Sequence, residues 1–315
     1  MIFLKVSATS SPNNPSPNVV SAPSRSVDRF RLTGPSVVHD PRVTAVRRDI
    51  ADIALADRLF APHYARAQPL HCRGAATMVR AAALHDAPAV SQLLPGESFC
   101  VLDIGGDWSW GYCAADGYVG YVRSAALAPP GVDATHLVTA ATALIFTAPD
   151  IKAPLAGTFP VGSRIAGRIA GEFLALDAGG YVHHRHCTAV DDHADDPVTV
   201  ACALVGMPYL WGGRGAGGID CSGLVQLALA RCGRSVPRDS DQQRAAVGTA
   251  LADDTPATRG DLVFFPGHVG LMVDAERLVH ANAYWMAVTI DPLADVVARI
   301  ATTHETPILA RRRLP

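Results

Sequence analysis

One cysteine and two histidines in the last third of the chain have the residue types and the order that a thiol hydrolase needs. Cys221 stands between Asp220 and a run of apolar residues, and His268 and His280 follow in two later segments. Only a thiolate is an effective nucleophile, and an imidazole is well suited to take up its proton near neutral pH. The pattern therefore predicts covalent hydrolysis in which Cys221 attacks a carbonyl carbon and His268 acts as the base.

The segment from Cys221 to Ala230 has the composition of a helix, and Asp220 before it is a suitable N-cap. This places the thiol in the first helical turn, at the positive end of the helix dipole. We therefore expect the pKa of Cys221 to lie below that of a free cysteine. For Asp220, capping alone is the alternative to a contact with substrate.

Two predicted strands bring the histidines together. His268 begins one strand, His280 lies on the next, and a three-residue connection at 273–275 joins the two. We expect the imidazoles to face each other across the pair, with Cβ atoms about 4.5–5.5 Å apart. His280 then orients His268 through its far ring nitrogen, while the Cys221 backbone N–H and the Tyr209 hydroxyl hold the oxyanion.

The composition limits the classes of function. The chain has 315 residues, 49% hydrophobic and 18% charged, which indicates two or three folded domains. With 27 basic and 29 acidic residues the net charge is −2, so there is no electrostatic case for nucleic acid or an anionic membrane as the main partner. No apolar run of about 18 residues is present to span a bilayer. The seven cysteines are odd in number and scattered, and the apolar start is too short for a signal peptide, so we expect a cytoplasmic protein.

The chain divides into five predicted segments. In order, these are a disordered N-terminus, a helix with a linker, two small all-β domains and an α+β domain: residues 1–38, 39–69, 70–130, 131–192 and 193–315. The N-terminus has too few apolar residues to offset its ordering entropy. The helix is predicted from Asp40 and Pro41, an N-cap and first-turn pair ahead of an apolar stripe at near-helical spacing. The second β domain looks like a weaker copy of the first.

The first β domain resembles a bacterial SH3-like barrel. Its segment Asp116–Val122 has the "DG-aromatic-x-G-aromatic-V" pattern with which such barrels usually end, and a short helical turn at 124–127 follows. The repetition of this pattern in the next domain predicts a second barrel, although the second copy lacks the tryptophans.

A histidine-rich run at 183–187 invites a metal-binding interpretation. Adjacent residues of a strand point to opposite faces, so at most two of these side chains could bind one metal from the same side. No second cluster of ligands has the spacing of a zinc site. We therefore expect neither a metal nor a cofactor.

Six blocks in the last 115 or so residues together resemble the NlpC family of cell-wall cysteine peptidases, which have a papain-like fold. The blocks are "YLWGG", "GIDCSGLVQ", "PRDSDQQ", "GDLVFF", "GHVGLM" and "LVHA". By this resemblance Cys221 is the nucleophile, His268 the base and His280 the third catalytic residue. With two SH3-like barrels and an N-terminal helix, the chain is similar to bacterial γ-D-glutamyl-L-diamino acid endopeptidases.

In that subgroup the first barrel closes one end of the cleft, so that only a peptide with a free N-terminal L-alanine fits. The resemblance implies cleavage after γ-D-glutamate, before the diamino acid, in peptides released from peptidoglycan. It places the substrate's amine at Glu97, Tyr118 and Asp220, and the substrate's carboxylates at Ser222 and Arg214. A buried ammonium needs a carboxylate partner to offset its desolvation, which is consistent with this assignment.

Two other classes of function remain open. One is a non-hydrolytic protein that binds peptidoglycan fragments, with barrels attached to a degenerate peptidase. The other is an acyltransferase or amidase on the same scaffold, because thioester chemistry is common to both. The sequence leaves open the oligomeric state and the choice between diaminopimelate and lysine.

Overall fold

The computed structural model describes residues 38–314, so the disorder predicted for residues 1–38 falls, apart from Val38, outside the described residues. Its strands are short, and α-helices begin only at Pro197. The N-terminal strands are β1 Ile50–Asp52, β2 His63–Ala65, β3 Gln68–Cys72, β4 Thr77–Arg80, β5 Ala89–Leu93, β6 Ser98–Gly105, β7 Trp108–Cys113, β8 Val119–Arg123, β9 Leu127–Ala128, β10 His136–Val138, β11 Thr142–Phe146, β12 Leu155–Pro160, β13 Arg164–Ile165, β14 Gly167–Ala170, β15 Phe173–Leu176, β16 Tyr181–His183 and β17 Cys187–Ala189. The later elements are α1 Pro197–Cys202, α2 Cys221–Arg231, α3 Ser240–Ala246, β18 Thr249–Ala250, β19 Leu262–Phe265, β20 His268–Met272, β21 Arg277–Asn282, β22 Ala287–Pro292, α4 Leu293–Ala301 and β23 Ala310–Arg313.

Residues 39–69 do not form the predicted helix. The backbone turns back on itself, with the Arg47 N–H donating to the Ile50 carbonyl oxygen at 2.8 Å. Strand β1 then pairs in parallel with β2. Ala45 and Ile50 pack against Trp110 of the next region. The helix prediction was wrong because a neighbouring sheet buries these apolar side chains, and such contacts override a weak helical preference.

The first β region, residues 68–128, is a seven-stranded sheet with the order β5-β4-β8-β7-β6-β3-β9. Apolar side chains that alternate along its strands form a separate core, centred on Phe99, Val79 and Val122, which are almost completely buried. Gly111 on β7 lies so close to β6 that an added Cβ would come within 1.9 Å of the Cys100 carbonyl oxygen. The hairpin predicted at Asp116–Val122 is the turn between β7 and β8.

The second β region, residues 136–189, has a three-stranded sheet and a five-stranded sheet, with the orders β13-β10-β17 and β12-β11-β16-β15-β14. Its own core contains Val138, Leu174 and Val182. The two β regions therefore have separate cores, and the description of the second as a barrel stays a prediction. Across residues 38–314 no three His, Cys, Asp or Glu side chains are grouped as a metal site would require.

The C-terminal region, residues 197–314, has a six-stranded antiparallel sheet with the order β18-β23-β19-β20-β21-β22. Helix α2 packs on one face through Leu224 and Ala228, which share a core with Leu271. Helix α4 packs on the other face, where Val296 meets Met272. None of the helices between residues 38 and 314 has the length and hydrophobicity required to cross a bilayer.

Candidate active site

Helix α2 begins at Cys221 because Asp220 caps it. The Asp220 backbone is extended, and its carboxylate accepts the Gly223 N–H at 2.7 Å. The other carboxylate oxygen accepts the Gly212 N–H at 2.9 Å, which ties the preceding loop to the same residue. The Cys221 thiol is buried at the start of this helix.

The thiol is protonated at neutral pH in the free protein. Burial raises the pKa of Cys221 to about 12, and the negative charge of Asp220 adds to the effect. Hydrogen bonds from the backbone N–H groups of Val269 and Ser222 oppose this rise without cancelling it. The expected lowering of the pKa by the helix dipole is thus wrong in direction, because burial and the adjacent carboxylate outweigh it.

The histidines lie on one face of adjacent strands, as predicted, but are offset diagonally. Leu271 pairs with Val279, and continuing this antiparallel register sets His280 opposite Gly270 rather than opposite His268. The connection is also longer than predicted, from Val273 to Glu276. Long side chains reach across such a diagonal, and His268 Nε2 lies 2.7 Å from His280 Nδ1.

Gly270 leaves the space that this arrangement needs. A Cβ added there would lie 2.5 Å from the Leu278 Cδ1 and 3.2 Å from the His280 Cβ. Any larger residue at this position would therefore push against β21, the strand that carries His280.

Both histidines are neutral at pH 7. Burial lowers the pKa of His268 to about 3, and the nearby His280 and Arg299 lower it further. Burial also lowers the pKa of His280, although Asp291 opposes this shift. The Val269 backbone N–H reaches the thiol, so the start of β20, which carries His268, runs beside Cys221. Nδ1 of His268 is the ring nitrogen that does not face His280.

Cys221 opens onto a cleft of about 470 Å³. Three parts of the chain line it: the N-terminal segment, the first β region and the C-terminal region. The lining includes Arg42, Val90, Tyr118, Tyr209, Trp211, Asp220, Cys221, Ser222, Asp239 and Asp241. The structure therefore brings Tyr118, Tyr209, Asp220 and Ser222 together with Cys221 in one cleft.

Tyr118 belongs to the first β region and lines the cleft. Its hydroxyl donates to Asp239 Oδ2 at 2.9 Å, and burial together with the Asp239 charge raises its pKa. Arg42 of the N-terminal segment donates to the same oxygen at 2.9 Å and to both oxygens of Asp241 at 2.8 Å. Sequence reasoning assigned no role to Asp239, Asp241 or Arg42, although the two aspartates lie within the block "PRDSDQQ".

Tyr209 is half-buried, and burial raises its pKa to about 12, with added effects from Cys221 and Asp220. Its hydroxyl is thus protonated at physiological pH and can donate a hydrogen bond in the cleft.

Arg238 organises the residues around the nucleophile. This completely buried guanidinium donates to both carboxylate oxygens of Asp220, at 2.9 and 2.6 Å, and to Ser222 Oγ at 2.9 Å. It also donates to Ser91 Oγ of the first β region at 3.1 Å. Asp220 is therefore both a helix cap and the partner of a buried cation. The sequence did not reveal that Arg238 has this role.

Glu97 and Arg214 are placed differently from the other candidates. They form an ion pair with an N–O distance of 2.6 Å, and each side chain is about one-tenth exposed. Arg214 also donates to Gln226 Oε1 and to the carbonyl oxygen of Gln92. Neither Glu97 nor Arg214 lines the part of the cleft that the described residues form. The pair instead joins the first β region to the C-terminal region.

Two parts of the chain match known protein families. Residues 206–304 match the NlpC/P60 family, and residues 79–127 match the bacterial dipeptidyl-peptidase Sh3 domain. The chain therefore carries an NlpC/P60 domain preceded by an SH3 domain of the dipeptidyl-peptidase type. Several relatives that the chain matches are named as dipeptidyl-peptidases or endopeptidases.

Individual relatives agree with this assignment. The chain is 35% identical over 129 residues to gamma-D-glutamyl-L-lysine dipeptidyl-peptidase of Bacillus subtilis, covering 38% of this chain and 40% of that protein. It is 36% identical over 107 residues to dipeptidyl-peptidase 6 of Lysinibacillus sphaericus, covering 33% and 38%. The alignments thus span two fifths or less of these relatives.

A solved structure resembles most of the fold. An NlpC/P60 family protein from Bacillus cereus superposes with a TM-score of 0.65 and 20% identity, covering 79% of this chain and all of that one. At this level of identity the likeness concerns the fold.

Proposed function

We propose that this protein is a cysteine peptidase that hydrolyses the bond between γ-D-glutamate and a diamino acid in peptides derived from peptidoglycan. The observation that carries the proposal is that Cys221 and Tyr118 line one cleft, with the nucleophile from the C-terminal region and the tyrosine from the first β region. The name of the Bacillus subtilis relative, a gamma-D-glutamyl-L-lysine dipeptidyl-peptidase, supports the choice of bond. We also propose that the second β region is a second SH3-like barrel.

The neutral resting state determines how the reaction starts. The Cys221 sulfur attacks the carbonyl carbon of γ-D-glutamate as its proton passes to Nδ1 of His268, because no stable thiolate exists beforehand. The oxyanion accepts hydrogen bonds from the Cys221 backbone N–H and the Tyr209 hydroxyl. His268 then returns the proton to the leaving amine. Finally, His268 deprotonates a water that attacks the thioester carbonyl carbon. The C–S bond breaks, the γ-carboxyl group of D-glutamate is released, and the Cys221 sulfur takes the proton back from His268.

We propose that Asp239 and Tyr118, with Asp220 nearby, hold the free amine of the substrate's L-alanine. Asp239 replaces Glu97 in this assignment, because Glu97 is engaged by Arg214. Asp239 Oδ2 is fixed by Tyr118 and Arg42. An ammonium at this carboxylate gains a charge-assisted hydrogen bond that an acylated nitrogen cannot form.

Ser222 remains our proposed contact for a substrate carboxylate, since it lies in the cleft beside the nucleophile. Arg214 is not retained in that role, because Glu97, Gln226 and Gln92 already accept its hydrogen bonds. We also propose a cytoplasmic role in recycling wall peptides, in keeping with seven cysteines that are all free thiols.

Mass spectrometry of the purified chain with L-Ala-γ-D-Glu-L-Lys, and with the meso-diaminopimelate analogue, tests the proposed reaction. We expect release of L-Ala-D-Glu and the free diamino acid, and the comparison shows which diamino acid is preferred. The matched variant Cys221→Ser keeps the volume of the side chain and is expected to release neither product. Product formation by this variant would refute the nucleophile, and peptide binding without cleavage by the wild type would favour the fragment-binding function.

A further inference from the structure

A carboxylate lies on the strand next to His280. Leu278 of β21 pairs with Asp291 of β22, and His280 pairs with Thr289, so Asp291 is the diagonal neighbour of His280 on the same face. Its Oδ2 atom is 3.4 Å from His280 Nε2. His268, His280 and Asp291 thus form a diagonal row across β20, β21 and β22.

His280 Nε2 has no better partner within residues 38–314. The atom is buried and makes no hydrogen bond to any residue that the structure describes. A buried imidazole nitrogen without a partner is costly, so the Asp291 carboxylate at 3.4 Å is the group that this nitrogen faces.

Asp291 is itself held firmly. The Arg299 guanidinium of α4 donates to its Oδ2 at 2.5 Å, and the indole N–H of Trp285 donates to the same atom at 3.1 Å. Arg299 also lies 4.4 Å above the centre of the Tyr284 ring. Although burial opposes the shift, these hydrogen bonds lower the pKa of Asp291, so the carboxylate is ionised at neutral pH.

We propose that Asp291 is a positioning residue that sets the tautomers of both histidines. An ionised carboxylate only accepts hydrogen bonds, so it places the proton of His280 on Nε2. His280 Nδ1 is then an acceptor, which requires the N–H of His268 to be at its Nε2. As a result, His268 Nδ1 carries the lone pair that receives the proton of Cys221. The same logic assigns the aspartate of a serine-protease triad its orienting role.

The charge of Asp291 has a smaller effect than its orientation. Burial lowers the pKa of His280, and although the Asp291 charge opposes this shift, the Arg299 charge adds to it, so the pKa stays lowered. The carboxylate therefore acts mainly by fixing proton positions before the reaction. This inference rests on the proposed roles of Cys221 and His268.

Nitrogen-15 NMR of the histidine-labelled full chain near pH 7 tests the inference without relying on activity. We expect wild-type His268 and His280 each to carry a proton on Nε2 and none on Nδ1. In Asp291→Ala the His280 signals should shift toward the Nδ1–H tautomer or a mixture. A wild-type His280 with its proton on Nδ1 would overturn the proposal.

Kinetics of the same variants separate positioning from stability. We expect Asp291→Ala to lower kcat by about a hundredfold with little change in KM, by analogy with the loss of a correct tautomer. Asp291→Asn should restore most of kcat, because an amide oxygen can take the place of Oδ2, accept the hydrogen bonds of Arg299 and Trp285 and still face His280 Nε2. If Asp291→Ala lowers kcat but leaves the tautomers unchanged, the residue has only a structural role.

Asp261→Ala is the matched control. Asp261 forms an ion pair with Arg313 at 2.8 Å within the same sheet, away from the histidines. We expect this variant to lose stability but to keep the wild-type kcat and tautomers. If the wild type has the predicted tautomers but cleaves no peptide, the proposed function fails while the positioning role of Asp291 stands.

Discussion

The two β regions contact the C-terminal region through different chemistry. The first contributes hydrogen bonds and charge: Tyr118 donates to Asp239 in the cleft, and Glu97 pairs with Arg214 outside the cleft lining. The second contributes an apolar contact, since Val161 is buried in the core that surrounds α2. Polar contacts depend on exact geometry, whereas apolar burial does not. In our proposal the first region both stabilises the fold, through the Glu97–Arg214 pair, and recognises substrate, through Tyr118, whereas the second region only stabilises the fold.

At Gly162 the second β region packs closely against both the first β region and α2. A Cβ added there would lie 2.8 Å from the Leu94 Cδ1 and 3.2 Å from the Leu227 Cδ1. This turn thus contacts both the first β region and α2 through apolar side chains. Substitutions in the second region should accordingly change stability alone, whereas substitutions in the first region change stability or substrate binding according to the contact that they remove.

The largest effect is expected at the buried ion pair. Glu97→Gln keeps the side-chain volume but leaves the Arg214 charge without a counter-charge, which should lower the free energy of unfolding by about 3 kcal/mol. Urea denaturation measures this loss. Glu172→Gln, the same change on an exposed turn of the second β region, should stay within about 0.5 kcal/mol of the wild type. Equal stability of the two variants would contradict the bridging role of Glu97.

Truncation of Val161 should lower stability without changing catalysis. Val161→Ala removes two buried methyl groups from the core around α2, at an expected cost of about 2 kcal/mol. Because the residue does not line the cleft, kcat/KM at a temperature where the protein stays folded should match the wild type. The exposed Val132 provides the control, Val132→Ala. A large change in KM in Val161→Ala would weaken the division between the two regions.

Removal of the Tyr118 hydroxyl should change catalysis and leave stability nearly unchanged, the opposite of Val161→Ala. Tyr118→Phe loses the hydrogen bond that fixes Asp239, and we expect kcat/KM to fall about tenfold, mainly through KM. Unfolding should change little. The corresponding change in the second region, Tyr181→Phe, should leave the kinetics intact, so equal effects of the two substitutions would argue against recognition by the first region.

The smallest effect is expected at Arg42. Its ion pairs with Asp239 and Asp241 are partly exposed, and such pairs contribute about 1 kcal/mol or less. Arg42→Ala should raise KM a few-fold, less at high salt, because Asp239 is then held by Tyr118 alone. Arg47→Ala is the control, since Arg47 pairs with Asp49 and Asp103 outside the cleft lining. A KM change of the same size in both variants would show that the effect is not local to the cleft.

The sequence predicted the parts of the site that local signals specify. Asp220 is an N-cap whose effect reaches only the first turn of α2, and alternating strand residues put His268 and His280 on one face. The exact register of those histidines was missed, because it depends on a turn one residue longer than predicted. The pKa direction of Cys221 was also missed, since it depends on burial by residues distant in sequence.

The residues that sequence reasoning overlooked act across long separations. Tyr118 donates a hydrogen bond to Asp239, and Arg238 donates one to Ser91. Asp291 accepts a hydrogen bond from Arg299 of α4. No local pattern encodes such contacts. The helix prediction for residues 39–69 was wrong for the same reason, because contacts with the first β region, distant in sequence, bury the apolar side chains.

The central claim, that the first β region selects substrates with a free amine, is tested most directly by kcat/KM for L-Ala-γ-D-Glu-L-Lys and its N-acetylated form. Acetylation removes the charge proposed to meet Asp239 and leaves the scissile bond unchanged. The account predicts rapid cleavage of the free peptide and at least about a hundredfold slower cleavage of the acetylated one. Equal rates on both peptides would contradict it.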